Sequence, residues 1–341
     1  MKRAKVEFRI RGRYMESLSP SRILVTGATG SFGQMFVRKL LVEFPQSEIL
    51  AFSRDELKQF EMREELQSDR VKFMLGDVRD YSRVLQATDN VDVVIHAAAM
   101  KQIPAAESNP MEAIKTNVLG AENVVNASIL NRVERVIALS TDKAANPANL
   151  YGATKLCSDK LMIAGNSLTS NSSTRFSVVR YGNVLGSRGS VVPFFLEMAQ
   201  KGVIPITDVR MTRFWLTLED GVKLVLKSLR VMQGGEIFVP KIPSFKVVDV
   251  AQVVAPDVPT KVIGIRPGEK LHETMITSDD ALYTKEFESY YAILSPLLWN
   301  SEAYRSLGTQ VEEGFSYRSD TNTWWHTHES FKQVLRDNSI A

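Results

Sequence analysis

Residues 22–33 read RILVTGATGSFG: an apolar run opens into Gly27, Gly30 and Gly33 at three-residue spacing, and a helical pattern begins at Ser31. Glycines let a backbone turn tightly and approach a pyrophosphate, whose charge is then held by amides at the helix N-terminus. A tight turn alone does not call for three glycines so spaced. The strand–loop–helix context therefore makes this a nucleotide site.

The rest of the first half keeps the same rhythm. EILAFS, VKFMLGDV, VDVVIHAAA, RVIALS and FSVVRYGNV are short apolar runs, separated by helices expected from Asp55, around Thr116–Leu130 and from Tyr151. Runs of this kind are parallel strands covered on both faces. The fold class is α/β, a doubly wound Rossmann-type sheet with ligands at the carboxyl ends of its strands. Beyond residue 180, Pro193, Pro205, Pro240, Pro243, Pro256, Pro259 and Pro267 cut the chain into short pieces, with one helix expected at Leu218–Met232. Residues 1–20 are expected as a flexible basic extension and 21–180 as the nucleotide-binding domain. Part of 213–240 should fold back onto that domain, 181–300 should form mainly a smaller, irregular α/β substrate-binding lobe, and 301–341 stay unassigned.

Of the net charge of +3, residues 1–14 alone carry +5, so the remainder is slightly acidic and gives no nucleic-acid surface. That leader lacks the apolar core of an export signal and is read as an extension or an upstream start before Met15. No run approaches a membrane span. The single cysteine, Cys157, fits a reducing cytoplasm, and its helical setting suggests packing. His96 follows an apolar run and is expected as a core residue; His272, His326 and His328 lack metal-ligand spacing, so no metal is expected.

At the end of the second strand, NAD sites usually place an acid against the ribose hydroxyls. Here the chain has AFSRDELK: Ser53, Arg54 and Lys58 suit a 2′-phosphate, which favours NADP over NAD. Asp55 is either a displaced ribose acid or, the better fit, an N-cap. Asp77 and Val78 after the third strand are placed to flank the adenine.

The segment STDKAANPANLYGATK, 140–155, sets Tyr151 and Lys155 four residues apart on one helix face. A phenol titrates near ~10, and a neighbouring ammonium with an oxidised nicotinamide favours its phenolate, which can take a hydroxyl proton while hydride leaves the same carbon. Asp142 and Lys143 stand just before, where an isolated pair would be a surface ion pair worth ~0–1 kcal/mol. Asn146 and Asn149 are read as turn residues and Pro147 as the punctuation before a helix.

GxxGxxG with YxxxK resembles the short-chain dehydrogenase/reductase superfamily, and the chain length its extended, nucleotide-sugar branch. Thr141-Asp142-Lys143 with HAAAMKQIP, YGNVLGSRGSVVPFF, MTRFW and IGIRPGEKLHE is similar to the inverting UDP-N-acetylglucosamine 4,6-dehydratases that begin pseudaminic acid synthesis for flagellin glycosylation, from about Ile23 to Thr277. The resemblance implies oxidation at C4, removal of the acidified C5 proton, loss of the C6 hydroxyl and hydride return to C6. Lys143 is then the base and Asp142 the acid, aimed at one sugar, with Thr141, Tyr151 and Lys155 completing the catalytic set. To act as a base, Lys143 must be depressed by burial, Lys155 or the nicotinamide charge. Lys143 together with Tyr151 is the inverting combination; soluble retaining relatives carry Glu at the lysine position, and membrane-linked ones Met at the tyrosine. The expected product is UDP-2-acetamido-2,6-dideoxy-β-L-arabino-hexos-4-ulose.

By the same resemblance, Thr29, Ser31, Phe32, Ala97, Thr116 and Val184 join the glycines at the cofactor, and Lys101 reaches both cofactor and sugar nucleotide. Asn183, Arg188, Thr207, Arg213, Arg266 and Glu269 hold the substrate, the arginines suiting phosphate oxygens and the carboxylate paired ribose hydroxyls. A cytoplasmic homo-oligomer, dimer or hexamer, is implied. A C4-epimerase uses the same tyrosine and cofactor but leaves Asp142 and Lys143 idle, a retaining dehydratase differs only at C5, and a nucleotide-sensing binding protein would need none of the catalytic set.

Overall fold

A computed structural model describes residues 9–10, 13–14, 18–168, 173–186, 190–295, 304, 307–338 and 340. In the leader, Arg9–Ile10 pairs with Arg13–Tyr14. The first half alternates β1 (Arg22–Thr26), α1 (Ser31–Glu43), β2 (Glu48–Ser53), α2 (Glu56–Leu66), β3 (Val71–Leu75), α3 (Tyr81–Ala87) and β4 (Val93–His96). Short helices α4 (Ile103–Ser108) and α5 (Pro110–Ile114) run through a π-turn at Lys115–Leu119 into α6 (Gly120–Leu130). Then follow β5 (Arg135–Thr141), α7 (Leu150–Gly165) and β6 (Arg175–Tyr181). All seven residues of β5 are buried, as a strand covered on both faces requires.

The second half contributes β7 (Asn183–Val184), α8 (Val191–Gln200), β8 (Ile204–Ile206), β9 (Thr212–Leu216), α9 (Leu218–Val231), β10 (Glu236–Pro240), β11 (Ser244–Lys246), α10 (Val247–Val254), β12 (Thr260–Val262) and β13 (Thr274–Ile276). After these come β14 (Thr284–Glu286), β15 (Tyr290–Leu294), β16 (Thr309–Gln310), β17 (Tyr317–Arg318) and α11 (His328–Asp337). The main sheet runs β16-β14-β15-β10-β6-β5-β4-β1-β2-β3. Strands β1 to β6 and β10 are parallel, and β15, β14 and β16 extend the edge antiparallel. Strand order reverses at β1, which lies between β2 and β4, so the ligand crevice opens beyond Thr26 and His96.

Within residues 213–240, α9 lies against α1, with Arg230 bonded to Glu43 at 2.7 Å, and β10 pairs with β6. Residues 284–294, drawn from sequence as part of the substrate lobe, also join the main sheet. A second apolar cluster gathers Leu185, Phe195, Ile204, Trp215 and Phe245 around α11, whose Phe331 stacks on Phe245 at 4.6 Å. The last helix, α11, therefore closes the second lobe, while β16 edges the main sheet. Among the described residues no helix is long and apolar enough to cross a membrane, and no three His, Cys, Asp or Glu gather as metal ligands.

Candidate active site

A cavity of about 590 Å³ runs from the glycine loop across the carboxyl ends of β1, β4 and β5 to β7. At its nucleotide end Gly27 has φ +66°, and an added Cβ would lie 2.8 Å from the Ala98 amide nitrogen, so only glycine lets β1 turn beneath β4. Gly30 caps α1 without a side-chain bond, which leaves first-turn amides facing the cavity. Thr29, Ser31, Phe32 and Gly33 line the same wall, followed by Ser53, Arg54, Lys58, Asp77, Val78, Ala97, Lys101, Thr116 and Val184. Asp55 caps α2: its carboxylate accepts the Lys58 amide at 3.0 Å and bonds the Lys58 ammonium. Arg54, with a side chain 63% exposed, faces Asp77 at 3.6 Å. Partial burial lowers the Lys101 ammonium below the usual lysine value.

At the other end, β5 delivers Ser140 and Thr141, and the 3₁₀ turn Asp142–Ala144 follows. Gly152 lets α7 press against this turn, since an added Cβ would come 3.0 Å from the Lys143 carbonyl carbon. Thr141, Lys143, Tyr151 and Lys155 all line the cavity. Lys143 Nζ donates to Asp142 Oδ1 at 3.0 Å, and Thr141 Oγ1 donates to the same oxygen at 2.9 Å. Burial pushes the Asp142 carboxyl above its ordinary value against the pull of Lys143, which makes it a candidate acid.

One expectation is corrected here. Burial does act to lower Lys143, but Asp142 and Glu273 outweigh it and raise the ammonium above the ordinary lysine value, so the resting lysine is charged. Burial likewise lifts the Tyr151 phenol to about 12, against smaller opposing effects of Lys143 and the Thr141 hydroxyl, so in the protein alone the phenol is neutral. Asp142 itself is fully buried behind the lining, reached by Lys143 and the Thr141 hydroxyl, which do line the cavity. Lys155 is buried, donates to Ser158 at 3.3 Å, and is lowered by burial with Asp159 opposing.

On the substrate side, Lys101 and Asn183 line the cavity, and the buried Asn183 Oδ1 has no hydrogen-bond partner among the described residues. Arg188 lies outside the described residues. Thr207, Arg266 and Glu269 stand beyond the lining in the second lobe, where Arg266 bonds Glu269 at 2.9 Å. The buried Arg213 guanidinium donates to the carbonyls of Thr212, Lys270 and Leu271 and stands 3.6 Å from Glu273. Asn149, read as a turn residue, caps α7 and also donates to the Gly268 carbonyl of the second lobe at 2.8 Å. Cys157 is exposed on the outer face of α7, not packed, and His96 is buried against Thr26 Oγ1 at 2.9 Å.

Glu273 escaped the sequence reading. It is 2% exposed and stands 3.4 Å from Lys143 Nζ, although 130 positions separate the two residues. Its only signal was a carboxylate inside the quoted IGIRPGEKLHE stretch, where the neighbouring Glu269 drew the assignment.

The sheet order, the loop at its switch point and the tyrosine–lysine helix make this chain a Rossmann-type member of the extended short-chain dehydrogenase/reductase superfamily. The profile of a family described as "Polysaccharide biosynthesis protein" matches residues 23–295, and the chain belongs to that family. It is 54% identical over 323 residues to the UDP-N-acetylglucosamine 4,6-dehydratase (inverting) of Campylobacter jejuni, covering 92% of this chain and 96% of that one. A UDP-glucose 4-epimerase of Rickettsia canadensis is 43% identical over 279 residues, 80% of this chain and 82% of its own. Among solved structures, Pen from Bacillus thuringiensis superposes with a TM-score of 0.87 at 32% identity, over 95% of this chain and 99% of that one.

Proposed function

We propose that the protein is an NADP-dependent inverting 4,6-dehydratase that converts UDP-N-acetylglucosamine into UDP-2-acetamido-2,6-dideoxy-β-L-arabino-hexos-4-ulose, the first step towards pseudaminic acid for flagellin or surface glycosylation. The observation that carries it is the pairing at 3.0 Å of Lys143, on the cavity wall beside Tyr151 and Lys155, with Asp142 buried behind it. Redox at C4 alone needs the tyrosine and lysine; the added acid–base pair suits an elimination across C5 and C6. The C. jejuni relative, whose name is that of this reaction, adds support.

The bound nicotinamide would take hydride from C4 and later return it to C6. The positive charge of a bound oxidised nicotinamide, with Lys155, would favour the Tyr151 phenolate over the neutral phenol of the protein alone, and that phenolate accepts the C4 hydroxyl proton. Moving one proton from Lys143 to Asp142 across their hydrogen bond turns the resting ion pair into an amine and an acid. The amine takes the C5 proton, and Asp142, through the Thr141 hydroxyl that lines the cavity, protonates the departing C6 hydroxyl. Lys143, now an ammonium, returns a proton to C5 on the face opposite the one it deprotonated, which requires the planar intermediate to turn relative to it between the two steps. Asp55, engaged as a helix cap, leaves Ser53 and Arg54 as the groups nearest a 2′-phosphate, which supports NADP. The same reading makes the protein a cytoplasmic homo-oligomer without nucleic-acid or membrane partners.

A second reading, a UDP-N-acetylhexosamine C4-epimerase, is favoured by the Rickettsia relative. Mass spectrometry of UDP-N-acetylglucosamine incubated with the protein decides: loss of one water supports the dehydratase, and an isomer of unchanged mass supports the epimerase.

A further inference from the structure

We propose that Glu273, brought into the site by the second lobe, is the positioning residue that keeps the proton shared between Asp142 and Lys143 on Lys143. The inference rests on the reading of Lys143 as the group that works at C5.

Glu273 precedes β13, which packs against the turn that carries Lys143. The carboxylate is held from behind: its backbone amide donates to Ser319 Oγ and its carbonyl accepts the Ser319 amide, both at 2.9 Å. Oε1 stands 3.4 Å from Lys143 Nζ and 3.6 Å from Arg213 Nε, while Oε2 accepts no hydrogen bond among the described residues and faces Lys270 Nζ at 3.9 Å. Arg213 and Lys270 are themselves tied to backbone carbonyls. Lys143 is thus the cation beside Glu273 that also lines the cavity and has a proton to move.

The charged and titratable groups around Lys143 are Asp142 on its own turn, Tyr151 on α7, Arg213 on β9, and Glu273 and Lys270 before β13. Asp142 and Glu273 favour the ammonium, and Arg213 opposes it. Asp142 cannot hold the ammonium alone, because transfer across the hydrogen bond neutralises both partners at once. A second carboxylate keeps its charge during that transfer: Glu273 also disfavours the Asp142 carboxylate, but it stands 3.4 Å from Lys143 Nζ, and its attraction for that ammonium opposes the transfer. Glu273 therefore sets the balance between a lysine that takes the C5 proton and one that gives it back.

The test is trace acetylation of the purified, substrate-free protein across a pH series, with the rate at Lys143 read by peptide mass spectrometry. In Glu273→Gln the midpoint of Lys143 reactivity is expected roughly one to three pH units below wild type, the size of effect an adjacent carboxylate exerts. Glu273→Asp, which keeps the charge but draws it back, should fall between the two, and it stands in if the glutamine variant does not fold. An unshifted midpoint in the folded variants overturns the proposal. The pH limb of water elimination from UDP-N-acetylglucosamine should move by the same amount; a midpoint shift in a protein that eliminates no water would leave Glu273 its role and refute the dehydratase reading instead.

Discussion

The two ends of the cavity hold charge in opposite ways. At the nucleotide end the charged side chains are exposed and paired in water: Arg54 faces Asp77, Lys58 bonds Asp55, and the remaining recognition comes from glycine backbone and the start of α1. At the chemical end Asp142, Lys155 and Glu273 are almost wholly buried, and Lys143 is four-fifths so. Exposed pairs are screened and contribute ~0–1 kcal/mol each, whereas buried ones displace one another's protonation. Binding can be trimmed at the first end with graded losses; at the second, removing one charge redistributes a proton.

That contrast orders the expected effects. Lys143→Met should lose about 10⁴-fold in dehydration, the upper range for a general acid–base group, while hydride removal from C4 survives as an absorbance rise from reduced nicotinamide. Retained water loss would take Lys143 out of its role. Tyr151→Phe should lose on the order of 10³-fold and block hydride removal itself, so that stopped-flow absorbance stays flat. An equal hydride signal in both variants would break the division of labour between the two residues.

His96 tests burial at the seam of the two ends. Burial, with Lys155 adding to it, lowers the imidazole from 6.5 to about 3. The unfolded chain then binds more protons than the folded one across that window, so stability is complete above pH 6.5 and is lost as pH falls towards 3, by roughly 5 kcal/mol at most. Denaturant melts of His96→Asn should show a flatter acid slope than wild type; identical slopes would contradict a buried neutral imidazole. The smallest effect belongs to the exposed end. Arg54→Ala should weaken NADP roughly tenfold and NAD hardly at all by calorimetric titration, as loss of one charge-assisted bond implies. Equal weakening of both nucleotides would move phosphate recognition away from Arg54.

The same contrast explains what the sequence disclosed. The glycine loop, Asp55 and the run from Thr141 to Lys155 assemble from neighbours in the chain, and strand and helix periods announce them. The charge on Lys143 is favoured by Glu273 as well as Asp142, across 130 positions of chain, and the bonds of Arg213 run to carbonyls at residues 270 and 271 that no local pattern reveals. The last forty residues gave little because α11 finds its partners, Phe245 and Trp215, in the second lobe rather than beside it in sequence. β14 and β15 were hidden for a related reason: they join the parallel sheet antiparallel at its edge, outside the alternating βα rhythm.

Incubation of the purified protein with UDP-N-acetylglucosamine in deuterated water, followed by proton NMR and mass spectrometry, tests the central claim most directly. The account predicts loss of one water with deuterium at C5 and an L-configured 4-keto product. A D-configured keto product would contradict the inversion assigned to Lys143, and a C4 epimer of unchanged skeleton would contradict the dehydratase itself.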